Sequence, residues 1–383
     1  MIYLDYNATT PVAPEVAEAM KPYLSEFFGN PSSSHWFGQK TKSAVETSRS
    51  KLAKLLNCDS SEIVFTSGGS ESNNYALKGY AFANRDKGNH IITTQIEHPA
   101  IIEVCKFVES QGFEITYLPV DETGRVRIED VRNAIRSETI LISVMYANNE
   151  VGTLQPIAEI SSIAKEKGIV LHSDCAQAVG KVPVDVKALG VDLLTVAGHK
   201  FYGPKGIGVL YIREGIQLQK LIHGADHESN RRAGTENILE IAGLGSAAEL
   251  AMQEPDKRIK KERELIQQLK SGIEHLGDLR FNGNKEFCLP NTLSVSFKNL
   301  SAGDILAKMK NIAASAGAAC HTDSVKVSAT LAAMKIPVEY AMGTLRLSVG
   351  KYTTTDEIDA AINEIITAVN LLRTKESNCK CNN

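Results

Sequence analysis

A lysine and an aspartate, each close to the end of an apolar run, are the first residues whose types and spacing indicate chemistry. Lys200 lies in the glycine-rich stretch Thr195–Gly208, and Asp174 comes 26 residues earlier. A buried lysine can react with a carbonyl cofactor because burial favours its neutral amine, and a carboxylate can keep the ring nitrogen of pyridoxal phosphate (PLP) protonated. Taken alone, Lys200 could simply belong to a turn, and Asp174 could be a turn-forming residue. The pair, about one helix and one strand apart, favours a PLP site.

A second stretch has the residues of a phosphate cradle. The run Ile63–Thr66 leads into a turn of serine and glycine, and a helical pattern that includes Tyr75 follows. The free N–H groups at a helix start bind anions, and glycine lets the backbone approach them closely. Ser70 adds a hydroxyl. The stretch therefore suits a phosphate group, although a serine-capped helix explains the same residues.

The composition is that of a globular protein. The chain has 383 residues, of which 43% are hydrophobic and 23% charged, and its formal net charge is −3. This length is enough for two domains. The charge offers no basic field for a phosphate backbone, so we expect no nucleic-acid partner. Because no apolar run approaches the ~20 residues that span a bilayer, we expect no membrane association either.

The N-terminus and the cysteines indicate the compartment. Met1–Asp5 show no basic region followed by an apolar stretch, so we expect a cytoplasmic protein. The seven cysteines are an odd number, scattered along the chain, and we expect reduced thiols. Cys379 and Cys381 could relay sulfur, bind a metal or lie in a solvated tail. Two thiols fall short of a structural zinc set, and the sequence predicts no metal site.

Seven short runs alternate with patterns of helical period between residues 60 and 212. The helical patterns include Pro99–Gln111, Ile128–Ile135 and Ile157–Lys167. This alternation predicts an α/β fold with a mainly parallel, seven-stranded sheet. The strand-like runs are Ile63–Thr66, His90–Thr94, Ile115–Val120, Ile140–Tyr146, Val170–Asp174, Leu193–Ala197 and Gly208–Ile212.

After about residue 255 the pattern changes. A charged helix, Asp256–Leu276, leads into the alternating run Thr292–Phe297, and further strand and helix patterns follow. We therefore expect a large cofactor-binding domain over residues 16–255 and a smaller α+β domain over 256–383. The N-terminal segment 1–15 is expected to pack on one of the two.

Seven ordered motifs, matching from residue 2 to about residue 372, resemble those of NifS/IscS-type cysteine desulfurases. That family belongs to the class V aminotransferase group of fold-type I PLP enzymes. The resemblance implies the fold of that group, PLP as cofactor and L-cysteine as substrate. The motifs are Asp5–Pro11, Gly29–Ser33, Phe65–Glu71, Glu97–His98, Asn148–Gly152, Gly198–Lys200 and Gly234–Thr235.

The resemblance assigns roles around the cofactor ring. Lys200 would form the Schiff base, Asp174 would pair with the pyridine nitrogen, and Gln177 would bond the ring hydroxyl. His98 would stack on the ring and shuttle protons.

It also assigns the phosphate and substrate ligands. Asn149 would lie near the substrate, and Arg346 would clamp its carboxylate with a fork-shaped guanidinium that is always charged. The phosphate ligands would be Gly69, Ser70, His199 and, from the other subunit of a homodimer, Thr235.

The stretch Ala314–His321 resembles the family's loop that carries the nucleophile. Cys320 would become a thiolate, with help from His321, and attack the sulfur of the bound amino acid. The products would be L-alanine and a persulfide on Cys320, whose sulfur passes to an acceptor protein. By itself, a cysteine among alanines and glycines would be a buried packing residue.

Two departures leave the substrate open. Ala197 stands where these enzymes commonly carry a phosphate-binding serine, and selenocysteine lyases, a sister branch, also lack that serine. Ser70 replaces a threonine that is usual in both branches. A selenocysteine lyase, which would release selenide from L-selenocysteine, is therefore the first alternative. A transaminase or racemase without need of Cys320, and a non-catalytic scaffold, are the others.

Overall fold

The computed structural model describes residues 1–321 and 324–380, with the backbone alone at 318–321, 324–326 and 375–380. Within these ranges no helix is both long and apolar enough to cross a membrane. The strands are β1 (Ile2–Tyr3), β2 (Ile63–Thr66), β3 (His90–Thr94), β4 (Glu114–Leu118), β5 (Thr139–Ser143), β6 (Val170–Asp174), β7 (Leu193–Ala197), β8 (Gly208–Ile212), β9 (Leu279–Asn282), β10 (Thr292–Phe297), β11 (Ile312–Ala313), β12 (Ser315–Ala316), β13 (Ala318–His321), β14 (Ser324–Val327) and β15 (Thr344–Ser348). The helices are α1 (Pro14–Met20), α2 (Pro22–Ser25), α3 (Trp36–Leu56), α4 (Gly69–Asn74), α5 (Tyr80–Ala83), α6 (Pro99–Ser110), α7 (Ile128–Ala134), α8 (Ile157–Glu166), α9 (Val186–Leu189), α10 (His227–Asn230), α11 (Ile238–Met252), α12 (Pro255–Ile273), α13 (Ala302–Lys308), α14 (Ala329–Ala333), α15 (Val338–Ala341) and α16 (Thr355–Lys380).

The large sheet has seven strands in the described part of the chain, in the order β2-β8-β7-β6-β5-β3-β4. β8 runs antiparallel to both of its neighbours, and the other neighbouring pairs are parallel. All residues of β3, β5, β6, β7 and β8 are buried. Burial on both faces agrees with the apolar residues of β7 and β8. The strands β3, β5 and β6 also bury polar side chains, and His90 and His172 form hydrogen bonds within the sheet. The prediction of a mainly parallel, seven-stranded sheet is confirmed.

The strand boundaries match those expected from the sequence, except that the runs Ile115–Val120 and Ile140–Tyr146 extend beyond the observed strands. β4 ends at Leu118 and β5 at Ser143, two and three residues before the predicted ends. Beyond β5 the backbone N–H of Tyr146 still donates to the carbonyl oxygen of Asp174 at 2.9 Å. The backbone N–H of Met145, which lies just after β5, donates to the side chain of Glu97 instead of to a neighbouring strand, so the regular strand pairing is interrupted there.

The topology brings the ends of β6 and β7 together. These strands are parallel neighbours, with Asp174 opposite Thr195 in the register. Lys200 follows β7 on one turn of 3-10 helix, Gly198–Lys200. Ligands bind at the carboxyl ends of parallel strands in α/β sheets, so the sheet places Asp174 and Lys200 at its ligand-binding edge.

The C-terminal part contains a second, antiparallel sheet in the order β12-β15-β10-β9. Its apolar core is separate from that of the large sheet and includes Leu269, Phe297 and Ile365. The N-terminal segment lies against this part, because β1 pairs in parallel with β11 and Asp5 forms a bridge with Ser348. The strand β15 carries Arg346 and thereby brings it next to the N-terminal segment.

Candidate active site

A cavity of about 190 Å³ lies at the carboxyl edge of the large sheet. The helix starts of α4 and α6, the ends of β6 and β7 and the turn after β7 form its walls. Most residues predicted for the site meet in this cavity, although they come from distant parts of the sequence. They are Gly69, Ser70, His98, Asn149, Asp174, Gln177, His199 and Lys200.

Lys200 has the properties of a nucleophilic amine. Its Nζ donates hydrogen bonds to the carbonyl oxygens of Asn7 at 2.7 Å and Ala8 at 2.8 Å. Burial and, to a smaller extent, the guanidinium of Arg346 lower the pKa of Lys200 to about 8, against the opposing effect of nearby carboxylates. A substantial fraction of such a lysine is neutral near neutral pH, and only the neutral amine attacks a carbonyl carbon.

Asp174 is buried and held in one orientation. Its Oδ2 accepts a hydrogen bond from Nδ2 of Asn73 at 2.7 Å, and its Oδ1 accepts one from the backbone N–H of Ala176 at 2.9 Å. Both donors stabilise the ionised carboxylate. Asn73 follows the serine-glycine turn but was not predicted as a site residue, because nothing in the sequence shows which face of α4 meets Asp174.

Gln177 and Lys200 meet at one backbone oxygen. The Nε2 of Gln177 donates to the carbonyl oxygen of Asn7 at 2.8 Å, and this is the same atom that accepts from Lys200. The Oε1 of Gln177 accepts from Nζ of Lys181 at 2.6 Å. Asn7 belongs to a motif quoted from the sequence, but its position under the lysine was not predicted, and Lys181 was not singled out at all.

His98 begins α6 and reaches the cavity from the neighbouring loop. Its Nδ1 accepts a hydrogen bond from the backbone N–H of Ala100 at 3.1 Å, which favours the tautomer with the proton on Nε2. Desolvation by the cavity walls and the charge of Lys200 lower the pKa of His98, against the effect of Asp174. The imidazole is therefore neutral near neutral pH, and its Nε2–H can donate a hydrogen bond or exchange its proton.

Glu97, next to His98, fixes this loop on the sheet. Its buried Oε1 accepts from Oγ1 of Thr94 at 2.8 Å and from the backbone N–H of Met145 at 2.9 Å. Burial raises the pKa of Glu97 to about 8. The carboxyl group joins the loop to the end of β5, and this sets the position from which His98 enters the cavity.

The phosphate end of the cavity is built from small residues. Gly68, just before α4, has φ +150°, which favours glycine. A Cβ at Gly208 would lie 2.7 Å from the Cα of Gly68, so position 208 also requires glycine. A Cβ at Gly69 would lie 3.3 Å from Cβ of Ala197, which faces the helix start without a hydroxyl. Gly69 and Ser70 thus offer their N–H groups, and Ser70 its hydroxyl, to an anion in the cavity.

His199 completes this end of the cavity. Its Nδ1 lies 3.1 Å from Oγ1 of Thr9. Burial, with the charges of nearby lysines, lowers the pKa of His199 to about 4. The ring is therefore neutral near neutral pH, and it can bind an anion only as an N–H donor.

Arg346 lies beside the cavity and is held by the N-terminal segment. Its Nη2 donates to Oδ1 of Asp5 at 2.7 Å and to Oγ of Ser315 at 2.9 Å, and its Nη1 donates to the carbonyl oxygen of Asn149 at 3.1 Å. Its buried Nε has no partner among the described residues. The Nε–H and the second Nη1–H are therefore available to an anion, and Asn149 links the guanidinium to the cavity wall.

Thr235 is not brought into this cavity. It is exposed and lines a second cavity of about 190 Å³, together with Thr66, Ser67, Arg232 and Gly234. The resemblance implies that Thr235 belongs to the site of another subunit, and this stays a prediction.

Cys320 lies in β13, where its backbone is paired with Val325 of β14. Its side chain lies outside the described part of the chain, as do the side chain of Cys379 and all of Cys381. The other four cysteines are free thiols, and burial is the largest cause of a raised pKa in each of them. They are Cys58, Cys105, Cys175 and Cys288.

The residues of the cavity fit PLP. An amine of lowered pKa suits its aldehyde, a fixed carboxylate suits its ring nitrogen, and a helix start of small residues suits its phosphate. The Oδ1 of Asn73, in the cavity wall, is buried without a partner among the described residues, which leaves an acceptor for a bound group. Fold and site together define a fold-type I PLP-dependent enzyme.

Residues 2–361 match the family model for the aminotransferase class-V, and the chain belongs to this family. A cysteine desulfurase IscS of Dictyoglomus turgidum is 49% identical over 376 residues, 97% of this chain and 95% of the relative. A cysteine desulfurase IscS of Methanosarcina thermophila is 48% identical over 374 residues, 97% of this chain and 93% of the relative.

Solved structures agree with this assignment. A NifS-like protein superposes with a TM-score of 0.91 at 37% identity, over 97% of this chain and 99% of its own. A structure described as SspA in complex with cysteine superposes with a TM-score of 0.83 at 37% identity, over 92% of this chain and 100% of its own. The resemblance inferred from the motifs is confirmed.

Proposed function

We propose that the chain is a PLP-dependent cysteine desulfurase, which converts L-cysteine to L-alanine and takes up the sulfur as a persulfide on Cys320. One observation carries the proposal. A lysine of lowered pKa and a carboxylate held by two donors line one cavity at the carboxyl edge of the sheet. Relatives that carry the name cysteine desulfurase cover almost the whole chain at nearly half identity, and this supports the same activity here.

When bound, PLP supplies an electron-accepting ring that stabilises negative charge at the substrate Cα. Lys200 would hold the cofactor aldehyde, and its neutral amine would remove the Cα proton of the substrate. Its lowered pKa suits both tasks, because each needs the neutral amine. Asp174 would keep the ring nitrogen protonated, and the Nε2–H of His98 would exchange a proton with the bound substrate.

Arg346 binds the substrate carboxylate in this proposal. Among the described residues its Nε–H has no partner and its Nη1 makes one hydrogen bond, and its other N–H groups hold it to Asp5, Ser315 and the backbone of Asn149. A guanidinium fixed on three sides loses little freedom when it takes up a carboxylate. In this proposal Cys320 reaches the side chain of the bound substrate from the β13–β14 hairpin.

Cys320 removes the sulfur. Its thiolate forms an S–S bond with the substrate Sγ while the Cβ–Sγ bond breaks, and the electron pair of that bond goes to the carbon side. Cβ then receives a proton, and L-alanine leaves. The carbon is reduced as the sulfur is oxidised, so no external oxidant or reductant is needed. The persulfide sulfur passes to an acceptor protein with a nucleophilic thiol.

We also propose a homodimer and a division of labour between two domains. Thr235 is exposed outside the Lys200 cavity, and the aromatic side chains of Phe28 and Trp36 are 70% and 77% exposed. A second copy would cover such apolar surface and would bring Thr235 to its partner's phosphate. Residues 16–255 would hold the cofactor, residues 256–383 would carry Arg346 and Cys320, and residues 1–15 would connect the two.

Turnover of L-cysteine and L-selenocysteine, measured side by side with L-alanine as the common product, tests the proposed function. We expect stoichiometric alanine and sulfide from L-cysteine in the presence of a reducing thiol. Selenocysteine lyase is the second candidate because Ala197 removes a phosphate donor, as in that branch. Alanine from L-selenocysteine alone, with L-cysteine only inhibiting, would favour that alternative. Amino-group transfer to a keto acid would favour a transaminase.

A further inference from the structure

Lys181 is a buried lysine that the proposed reaction does not use. It is 6% exposed. Its Nζ donates to Oε1 of Gln177 at 2.6 Å and to Oδ1 of Asn7 at 3.0 Å. Both acceptors are amide oxygens, not carboxylates. A buried ammonium without a direct counter-ion is costly, so its place beside two residues of the site calls for a function.

The ammonium determines which way the Gln177 amide faces. A side-chain amide carries an acceptor on one atom and two donors on the other. In its protonated form Lys181 can only donate, so the atom 2.6 Å from the ammonium is then the oxygen of Gln177. The Nε2 then gives one N–H to the carbonyl oxygen of Asn7 at 2.8 Å, and its second N–H is left for the cavity that Gln177 lines. A flipped amide would place N–H groups against the ammonium.

The same ammonium orients Asn7. Oδ1 of Asn7 accepts from Lys181 and from Nδ2 of Asn291 at 3.2 Å, and its Nδ2 donates to Oγ1 of Thr292 at 2.8 Å. The side chain is thus held from several sides. The carbonyl oxygen of Asn7, which accepts from Lys200 at 2.7 Å, is fixed with it.

We propose that Lys181 is a positioning residue: it holds Gln177 as a hydrogen-bond donor toward the cofactor ring and holds the Asn7 carbonyl under Lys200. This rests on the proposed function in so far as the cavity binds PLP. The second Nε2–H of Gln177, as a donor to the cofactor ring, would stabilise the ring oxygen in its ionised form. The charge on the ring would then be distributed as the reaction requires.

The charges that face Lys181 come from three elements of the fold. Burial and the positive charges of Lys200 and Arg346 lower the pKa of Lys181 to about 7, and Glu262 on α12 opposes them. Glu262 is itself buried, and burial raises its pKa to about 7. Without the positive charge of Lys181, the pKa of the nitrogen of Lys200 would be higher. This nitrogen, when linked to the cofactor, would then stay protonated to higher pH.

The substitution Lys181→Met tests the proposal, because methionine has similar length and no charge or donor. Buried charges are often replaced by apolar groups without loss of stability, so we expect an unchanged or higher Tm for the variant without cofactor. We expect the dissociation constant for PLP to rise about tenfold, the effect of one oriented hydrogen bond. The pH at which the visible band of the bound cofactor titrates should move upward. Lys187→Met, at an exposed lysine of α9, is the matched control and should change none of these.

A Lys181→Met protein with the PLP affinity and the titration of the wild type would overturn the proposal. If this variant does not fold, Gln177→Glu tests the same point, since a carboxylate would bind Lys181 more tightly yet present an oxygen to the ring. We expect Gln177→Glu to weaken PLP binding about tenfold, and unchanged binding would overturn the proposal. PLP binding by the wild type separates the proposed function from the role of Lys181. If the wild type does not bind PLP, the proposed function is contradicted. If the wild type binds PLP normally and neither variant has an effect, only the role of Lys181 is contradicted.

Discussion

The substitution Lys200→Ala is expected to lower kcat for alanine formation from L-cysteine by about 10³-fold or more. The variant loses both the amine that holds the cofactor aldehyde and the base that removes the Cα proton, and general base catalysis alone contributes roughly 10²–10⁴-fold. It should also lose the visible absorption that the linkage to lysine gives the bound cofactor. Stopped-flow turnover and absorption spectra of the reconstituted protein measure both effects.

Lys205→Ala is the matched control for this prediction. Lys205 lies on the same glycine-rich loop, is exposed, and donates only a long hydrogen bond of 3.4 Å to the carbonyl oxygen of Thr10. We expect it to keep the activity and the spectrum of the wild type within about twofold, as is usual for surface substitutions. More than a tenth of wild-type activity in Lys200→Ala would exclude Lys200 as the reactive amine.

Cys320→Ala should reduce sulfur release from L-cysteine by about 10²-fold or more while leaving PLP binding intact. The thiolate is the attacking form of cysteine, and the other described cysteines are poor substitutes for it. Burial raises the pKa of Cys58 and of Cys105 to about 12, and raises the pKa of Cys175 and Cys288 as well. Parallel assays of sulfide, alanine and cofactor absorbance separate a lost nucleophile from a lost site.

Cys288→Ala serves as the control for the nucleophile, because Cys288 is half-buried in the loop before β10 and lines a different cavity from that of Lys200. Its activity should equal that of the wild type. Full alanine production by Cys320→Ala would mean that Cys320 does not attack the substrate, and a transaminase or racemase would then account better for the lysine and the aspartate.

Much of the site could be predicted because its residues follow strands. Asp174 is the last residue of β6 and Lys200 follows β7 by one turn, and because the two strands are parallel neighbours their carboxyl ends lie at one edge. Sequence spacing alone therefore placed them together. The phosphate end was predictable for a similar reason, since a serine-glycine turn between a strand and a helix is itself a local structure.

The contacts that hold these residues were beyond prediction because they join distant parts of the chain. Asp5 and Arg346 are 341 positions apart and form an ion pair, and Asn7 meets Lys200 across 193 positions. Neither pairing leaves a periodic pattern. Lys181 gave no signal, because a lysine after a glycine predicts an exposed turn, and its burial beside Asn7 and Gln177 comes from tertiary packing.

The location of the sulfur after one turnover tests the account most directly. The PLP-loaded protein is mixed with one equivalent of L-cysteine in the absence of other thiols, quenched, treated with an alkylating reagent and analysed peptide by peptide by mass spectrometry. We predict one additional sulfur atom on the peptide that contains Cys320, in equal amount to the L-alanine formed. Alanine formed without sulfur on that peptide, or with the sulfur on another cysteine, would contradict Cys320 as the acceptor of the substrate sulfur.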